Sequence, residues 1–176
     1  MRQSEVEKKA IEFCNDNGIN SYPVEIIKIC NNNGLKVFEE YLSRDVSGLI
    51  VVDDKVWKKY ETNQFILVNL ADSAVRRRFT IAHELAHYIL HRNGYKLYAH
   101  RDSDVEGVIK SSMEQEANFF AANVLMPENL IKEKVEDVKH GVWGKAPNFV
   151  LVKEIADHFA VSEAAAEVRL KQLDII

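Results

Sequence analysis

Cysteine is scarce in this chain: Cys14 and Cys30 are the two thiols among 176 residues. Their spacing suits neither a zinc knuckle nor a disulfide framework, and both fall in segments with helical patterning, so they read as reduced core thiols. Proline occurs three times and glycine seven times. No Pro-, Gly- or Ser-rich stretch divides the chain, which excludes a flexible linker and predicts a single domain over 1–176. Any run of about 18 apolar residues is also missing, so no membrane-spanning helix is expected. The N-terminal MRQSEVEKKAIEF reads as a charged amphipathic helix without the apolar stretch of a secretory leader, and a soluble, cytoplasmic protein is expected. Positive charge is not in excess, since 23 Lys and Arg against 27 Asp and Glu leave a formal net charge of −4. That balance argues against a general nucleic-acid-binding surface but leaves room for a local one.

What is present is the nonapeptide FTIAHELAH, Phe79 to His87. Residues four apart on an α-helix lie about 40° apart around the axis and roughly 6 Å along it, so His83 and His87 project to one side and can grip one zinc ion (Zn2+). Glu84 is one step further round, off the metal but close to its open coordination position, where it is placed to be the catalytic general base. Ile81, Ala82, Leu85, Ala86, Ile89 and Leu90 make the segment apolar almost all round, as in a helix buried within a domain. Three polar groups buried with it would each cost on the order of 1–3 kcal/mol unless a metal or a dense hydrogen-bond network received them.

A catalytic zinc site takes a third protein ligand. The metzincin continuation requires Gly and His where this chain has Leu90 and Asn93, which excludes that class. His91 extends the histidine series but lies about 80° round and about 12 Å along from His83, too far for the same ion, and reads as a cap or surface residue. The better source is EQEANFFAANVLMP, Glu114 to Pro127, with an apolar stripe through Ala117, Phe120, Ala121, Val124 and Leu125. Glu114 and Glu116, expected near the start of this helix, are both chemically suitable. Glu114 shares a face with Ala117, Asn118, Ala121 and Leu125, whereas Glu116 points about 160° away, so Glu114 is favoured as ligand. Asn118, one turn on, would then hold the outer ring nitrogen of a ligand histidine.

FTIAHELAHYIL followed by EQEANFFAANVLMP resembles the ImmA/IrrE family of zinc metallopeptidases. The resemblance extends over most of the chain: the upstream strand FILVNL with its terminal Asn, the histidine helix, the E-x-x-A-N-x-F-A helix and the C-terminal VSEAAAEVRLKQL come in the same order. The E-x-x-A-N arrangement is also similar to that of the glutamate-ligand zincins, in which the Glu binds zinc and the residue four later supports a histidine, matching Glu114 and Asn118. The resemblance implies an intracellular endopeptidase, often paired with a helix-turn-helix transcriptional repressor that it cuts or inactivates to release stress or mobile-element genes. The chemistry expected of the residues is attack of a zinc-activated water on a peptide carbonyl, with Glu84 taking the proton and later passing it to the leaving nitrogen. An oxyanion helper is usually needed too, and Tyr88, Tyr95, Tyr98, His100, Arg78 and His140 are all eligible.

Coarse patterning predicts helices near 3–16 and 23–32, the second opened by Ser21 and Pro23 and closed by the NNNG turn. LKVFEEYL, SGLIVVDD and FILVNL read as three strands, giving an α+β fold in which a small, mainly antiparallel sheet packs against several helices, including a zincin-like catalytic helix. FILVNL is the nearest candidate to receive substrate by strand addition, beside its plainer role as a core strand. Residues 93–112 read as a long loop, either a lid or disordered. Trp143 in HGVWGKAPN is read as a packing residue rather than a site. The region 149–176 resembles a helix-turn-helix, with a turn at Ala160 to Ser162. Its second helix opens Ser162, Glu163, Ala164 and carries only Arg169 and Lys171 as cations, so a structural or partner-docking role is favoured over DNA contact. The run Arg76, Arg77 and Arg78 is expected to pair at the surface with acids such as Asp53, Asp54 or Asp72. Two functions stay open: a zinc endopeptidase acting on a protein regulator, and a regulatory or DNA-binding protein in which zinc is structural or peptidase activity is lost.

Overall fold

Val6, Ala10, Phe13 and Cys14 recur at helical spacing, and they form the buried stripe of the first helix in a computed structural model that describes residues 1–52, 57–91, 107–140 and 147–176. This helix, α1 (Gln3–Asp16), is followed by α2 (Ile26–Asn32), strands β1 (Lys36–Glu40) and β2 (Gly48–Val52), the short α3 (Trp57–Tyr60) and strand β3 (Gln64–Asn69). Helices α4 (Ala74–His91), α5 (Gly107–Leu125), α6 (Glu128–His140), α7 (Asn148–Phe159) and α8 (Glu163–Gln172) complete the order. The α+β class is therefore as expected.

Three local expectations change. Helix α2 begins at Ile26, not at residue 23, because the Val24 carbonyl already accepts the Ile26 N–H at 2.8 Å and the Arg78 guanidinium at 2.9 Å. Residues 107–112 belong to α5 and not to a loop, so Glu114 and Glu116 lie in the helix's second and third turns and do not open it. The remainder of that predicted loop, 92–106, falls outside the described residues, as do Tyr95, Tyr98, His100 and Trp143. Helix α6 had no counterpart in the sequence reading.

The sheet has the order β1-β3-β2. Its pairing is mixed, not mainly antiparallel: β1 runs parallel to β3 with Phe38 opposite Leu67, and β2 runs antiparallel to β3 with Ile50 opposite Ile66. The chain between β1 and β2 carries β2 past the position that β3 later fills, so β1 and β2 are not neighbours although they follow one another in the chain. Central β3 is buried from Phe65 through Asn69, which explains its continuous apolar run. Being paired on both sides, β3 has no edge to offer a substrate strand, and that expectation is withdrawn. Among the described residues, the free edge near the histidine helix belongs to β2.

Asn69, at the end of β3, organises the β1–β2 connection. Its carboxamide donates to the Val46 and Ser43 carbonyls at 2.9 and 3.3 Å and accepts from the Leu42 and Ala71 N–H groups at 3.3 and 3.1 Å. Gly48 then lets β2 close on α4: a Cβ at this position would lie 2.4 Å from Thr80 Cγ2 and 2.8 Å from the Leu67 carbonyl oxygen. One core joins these pieces, with Ile66 from the sheet, Leu85 from α4, Phe120 from α5 and Phe159 from α7 each fully buried.

The C-terminal pair α7 and α8 turns at Ala160, whose φ of 51° is left-handed, and Ser162 caps α8 by accepting the Ala165 N–H at 3.2 Å. Arg169 is 2% exposed and donates to the Met126 carbonyl at 3.2 Å. Of the arginine run, Arg76 and Arg77 pair at the surface with Asp72 and Glu39. Arg78 departs from the surface pairing expected of it and donates to the carbonyls of Ala160 and Val24, tying α4 to the turn before α8 and to the segment before α2. Asp53 and Asp54 are outside the described residues.

Candidate metal centre

Helix α4 carries both histidines on one side because they are four residues apart, and α5 packs along that side. His83 Nε2 lies 3.0 Å from His87 Nε2 and 3.2 Å from one Glu114 carboxylate oxygen, whose other oxygen is 3.4 Å from His87 Nε2. Three donor atoms thus converge, all within 4.8 Å of one another. Donors at about 2.0–2.1 Å from a tetrahedral zinc are separated by about 3.3 Å, so the set fits a metal of that size and preference. Two imidazoles and a carboxylate also form a donor set characteristic of catalytic zinc.

His83 Nδ1 lies 2.9 Å from Asn118 Oδ1. Donation of Nδ1–H to that oxygen places the proton away from the cluster and turns the Nε2 lone pair toward it. Burial disfavours the charged form of His83, yet the Glu114 hydrogen bond, the Glu84 and Glu114 charges and the Asn118 contact together hold its pKa above the usual histidine value. Such surplus negative potential around the imidazoles is what a bound cation would neutralise.

The structure thus brings together His83, His87, Glu114 and Asn118. Glu84 is 7% exposed and lines, with His83, a cleft of about 610 Å³ whose opposite wall runs from Leu42 to Leu49. Glu116 is elsewhere: it pairs with the Met1 amine, accepts from Ser112 Oγ at 3.2 Å and lies 3.7 Å from His91 Nε2. His91 is not the surface residue expected; it is 9% exposed, and burial, with the neighbouring His87, lowers its pKa. Two oxyanion candidates are engaged away from the cluster, Tyr88 donating to Gln64 at 3.2 Å and Arg78 to the carbonyls given above. The His140 side chain joins Tyr95, Tyr98 and His100 outside the described set.

The sequence reading missed Gly48, Thr80 and Phe79, which line the cleft, and Asn69, which holds the cleft's Leu42–Val46 wall in place. The terminal Asn of FILVNL was visible as a residue, but its role depends on a loop more than twenty positions upstream.

A His-Glu-x-x-His helix joined by a carboxylate from the next helix forms a candidate metal centre of the kind that metallopeptidases use. The chain belongs to the peptidase family described as the IrrE N-terminal-like domain, whose model matches residues 30–171. It is 25% identical over 112 residues to the metallopeptidase ImmA of Bacillus subtilis, covering 64% of this chain and 59% of that one. Over 101 residues it is 35% identical to the radiation response metalloprotease IrrE of Deinococcus radiodurans, covering 57% of this chain and 29% of that one. The chain therefore spans well under two thirds of either relative. A Mycobacterium tuberculosis transcriptional regulator shares the fold with a TM-score of 0.62 at 14% identity, covering 96% of this chain and 46% of that one. Among the described residues no helix is long and apolar enough to cross a membrane.

Proposed function

We propose that this chain is a zinc-dependent endopeptidase that hydrolyses a peptide bond in a protein substrate, a helix-turn-helix transcriptional repressor or similar regulator. The observation that carries the reading is the convergence of His83 Nε2, His87 Nε2 and the Glu114 carboxylate beside Glu84 at the wall of an open cleft. His83, His87 and Glu114 would hold the metal, and Asn118 would fix the His83 ring. A zinc ion bound there supplies Lewis acidity, bringing a water's pKa toward about 7 and polarising a carbonyl. Glu84 accepts the proton of the attacking water on its carboxylate and returns it to the departing amide nitrogen. The outer edge of β2 lines the cleft and offers backbone N–H and C=O groups to an extended substrate segment.

A regulatory DNA-binding role for α7 and α8 loses support, since Arg169 is buried against Met126 and Lys171 is paired with Glu167. A purely structural zinc would ordinarily close its fourth position with another Cys or His, and the described residues place none in the cluster. The test is metal content by mass spectrometry of the wild type, Glu84→Gln and Glu114→Gln, each then incubated with repressor proteins of the same cell. The expected result is about one zinc per chain in the wild type and Glu84→Gln, cleavage by the wild type alone, and zinc lost from Glu114→Gln. A wild type that takes up no zinc refutes the reading.

A further inference from the structure

Beyond the cleft, a second cavity of about 660 Å³ opens between α1, α5 and α8. One part of its wall is apolar, Val6 from α1, Phe119 and Ala122 from α5, and Ala164, Ala165 and Val168 from α8, while the paired Met1 amine and Glu116 carboxylate, with Ser112, form a polar end. Two features connect it to the metal centre. Phe79 lines both this cavity and the cleft that holds His83 and Glu84, and Asn118, which holds the His83 ring, also lines the cavity. A polypeptide seated along β2 therefore passes Phe79 to reach it.

The shape of α8 gives the cavity its room. Ala164, Ala165 and Val168 share one helical face, where two alanines leave space and Val168 stands 55% exposed. That face is turned to the cavity, with Gln172 one turn further along it. Around the rim, Gln3, Gln115 and Gln172 come from three different helices. Carboxamides both donate and accept, which suits a peptide backbone of any sequence. The volume lies in the range of about 300–1,000 Å³ usual for pockets that take an organic ligand, and exceeds what one small side chain needs.

We propose that this cavity is the substrate-recognition subsite of the peptidase, taking a bulky apolar side chain, Leu, Met, Phe or Trp, that lies a few residues from the scissile bond. The inference rests on the endopeptidase reading and adds a specificity to it. Phe79 forms the partition between the cleft and the subsite, and the α8 face sets the size of side chain accepted.

The test pairs Ala165→Trp, which fills the cavity from a half-buried position, with Val168→Asp, which places a charge on its rim. Cleavage of unfolded casein, mapped by mass spectrometry, is expected to cluster near large apolar residues. A synthetic peptide built on one such site and its counterpart with Ala at the apolar position should differ by about tenfold or more in kcat/KM, mainly through KM, with the ratio falling toward one in both variants. Zinc content and thermal stability, measured on the same preparations, separate this from loss of fold. Binding of the fluorescein-labelled peptide to Glu84→Gln, followed by anisotropy and repeated with Ala165→Trp added, reads the subsite without turnover. Equal handling of the two peptides by the wild type, or a discrimination that survives both variants, overturns the subsite while leaving the peptidase intact. A zinc-loaded wild type that binds the apolar peptide selectively but cuts nothing overturns the endopeptidase reading and keeps the pocket.

Discussion

Replacing Gly48 by Ala adds one methyl group where β2 meets α4. That carbon would lie 2.4 Å from Thr80 Cγ2 and 2.8 Å from the Leu67 carbonyl oxygen, both far inside van der Waals contact. Thr80 is 8% exposed and cannot swing away freely, while the Leu67 oxygen belongs to central β3. Relief must come from β2 moving off α4. Overpacking of this kind costs about 1–3 kcal/mol, and a chain of this size shifts its Tm by about 2–4 °C per kcal/mol, so a fall of roughly 2–12 °C is expected by calorimetry. The same displacement widens the cleft between the β2 edge and Glu84, so KM for a peptide substrate should rise more than kcat falls. Thr80→Ser removes the Cγ2 atom, and in the Gly48→Ala background it should recover part of the lost Tm despite being unfavourable by itself. A Gly48→Ala protein that melts within about 1 °C of the wild type would show that β2 is not held against α4 by this contact.

Other consequences follow from the same coordinates. Asn118→Ala leaves His83 without its ring partner and should weaken zinc affinity by about 10–100-fold in a chelator competition, with little change in melting of the metal-free chain because Asn118 is exposed. Arg169→Ala empties a site that is 2% exposed and frees the Met126 carbonyl, and should lower the urea unfolding free energy by about 2–4 kcal/mol. Burial pushes the Cys14 thiol up from 9.0 to about 11 and the Cys30 thiol to about 12. A thiol-disulfide dye at pH 8 should therefore react slowly with the native chain and release two equivalents only after denaturation. Because the unfolded thiols ionise first, stability should also decline as pH rises above about 9; a native chain titrated at once by the dye would contradict the buried placement.

Much of the metal cluster was legible because its geometry is local. The i, i+4 relation of His83 and His87 follows from helix periodicity, and the choice of Glu114 over Glu116 follows from which face of the next helix is apolar. In the structure Glu114 lies against the two histidines, while Glu116 turns to the Met1 amine and Ser112. Other readings failed where a residue's neighbour is distant in the chain. Arg78 looks like the third of three surface cations, but it reaches carbonyls 54 and 82 positions away. For α8 the sequence favours a structural or partner-docking role over DNA contact, but it does not show that Arg169 is a buried brace between α8 and the end of α5. His91 reads as a helix cap and is buried beside Glu116.

The sequence by itself determined the chemistry of the cluster: which side chains can bind a metal, which carboxylate stands beside it, and that a group of strands set between helices gives an α+β fold. These are properties of period and residue type, set within a few turns. Tertiary structure alone decided that β3 is central and β2 the free edge, that Gly48 permits their approach to α4, and that Phe79 stands between the metal cleft and a cavity faced by α8. Strand order and helix packing depend on contacts between segments far apart in the chain, whose energies belong to pairs of elements and leave no periodic mark on either one.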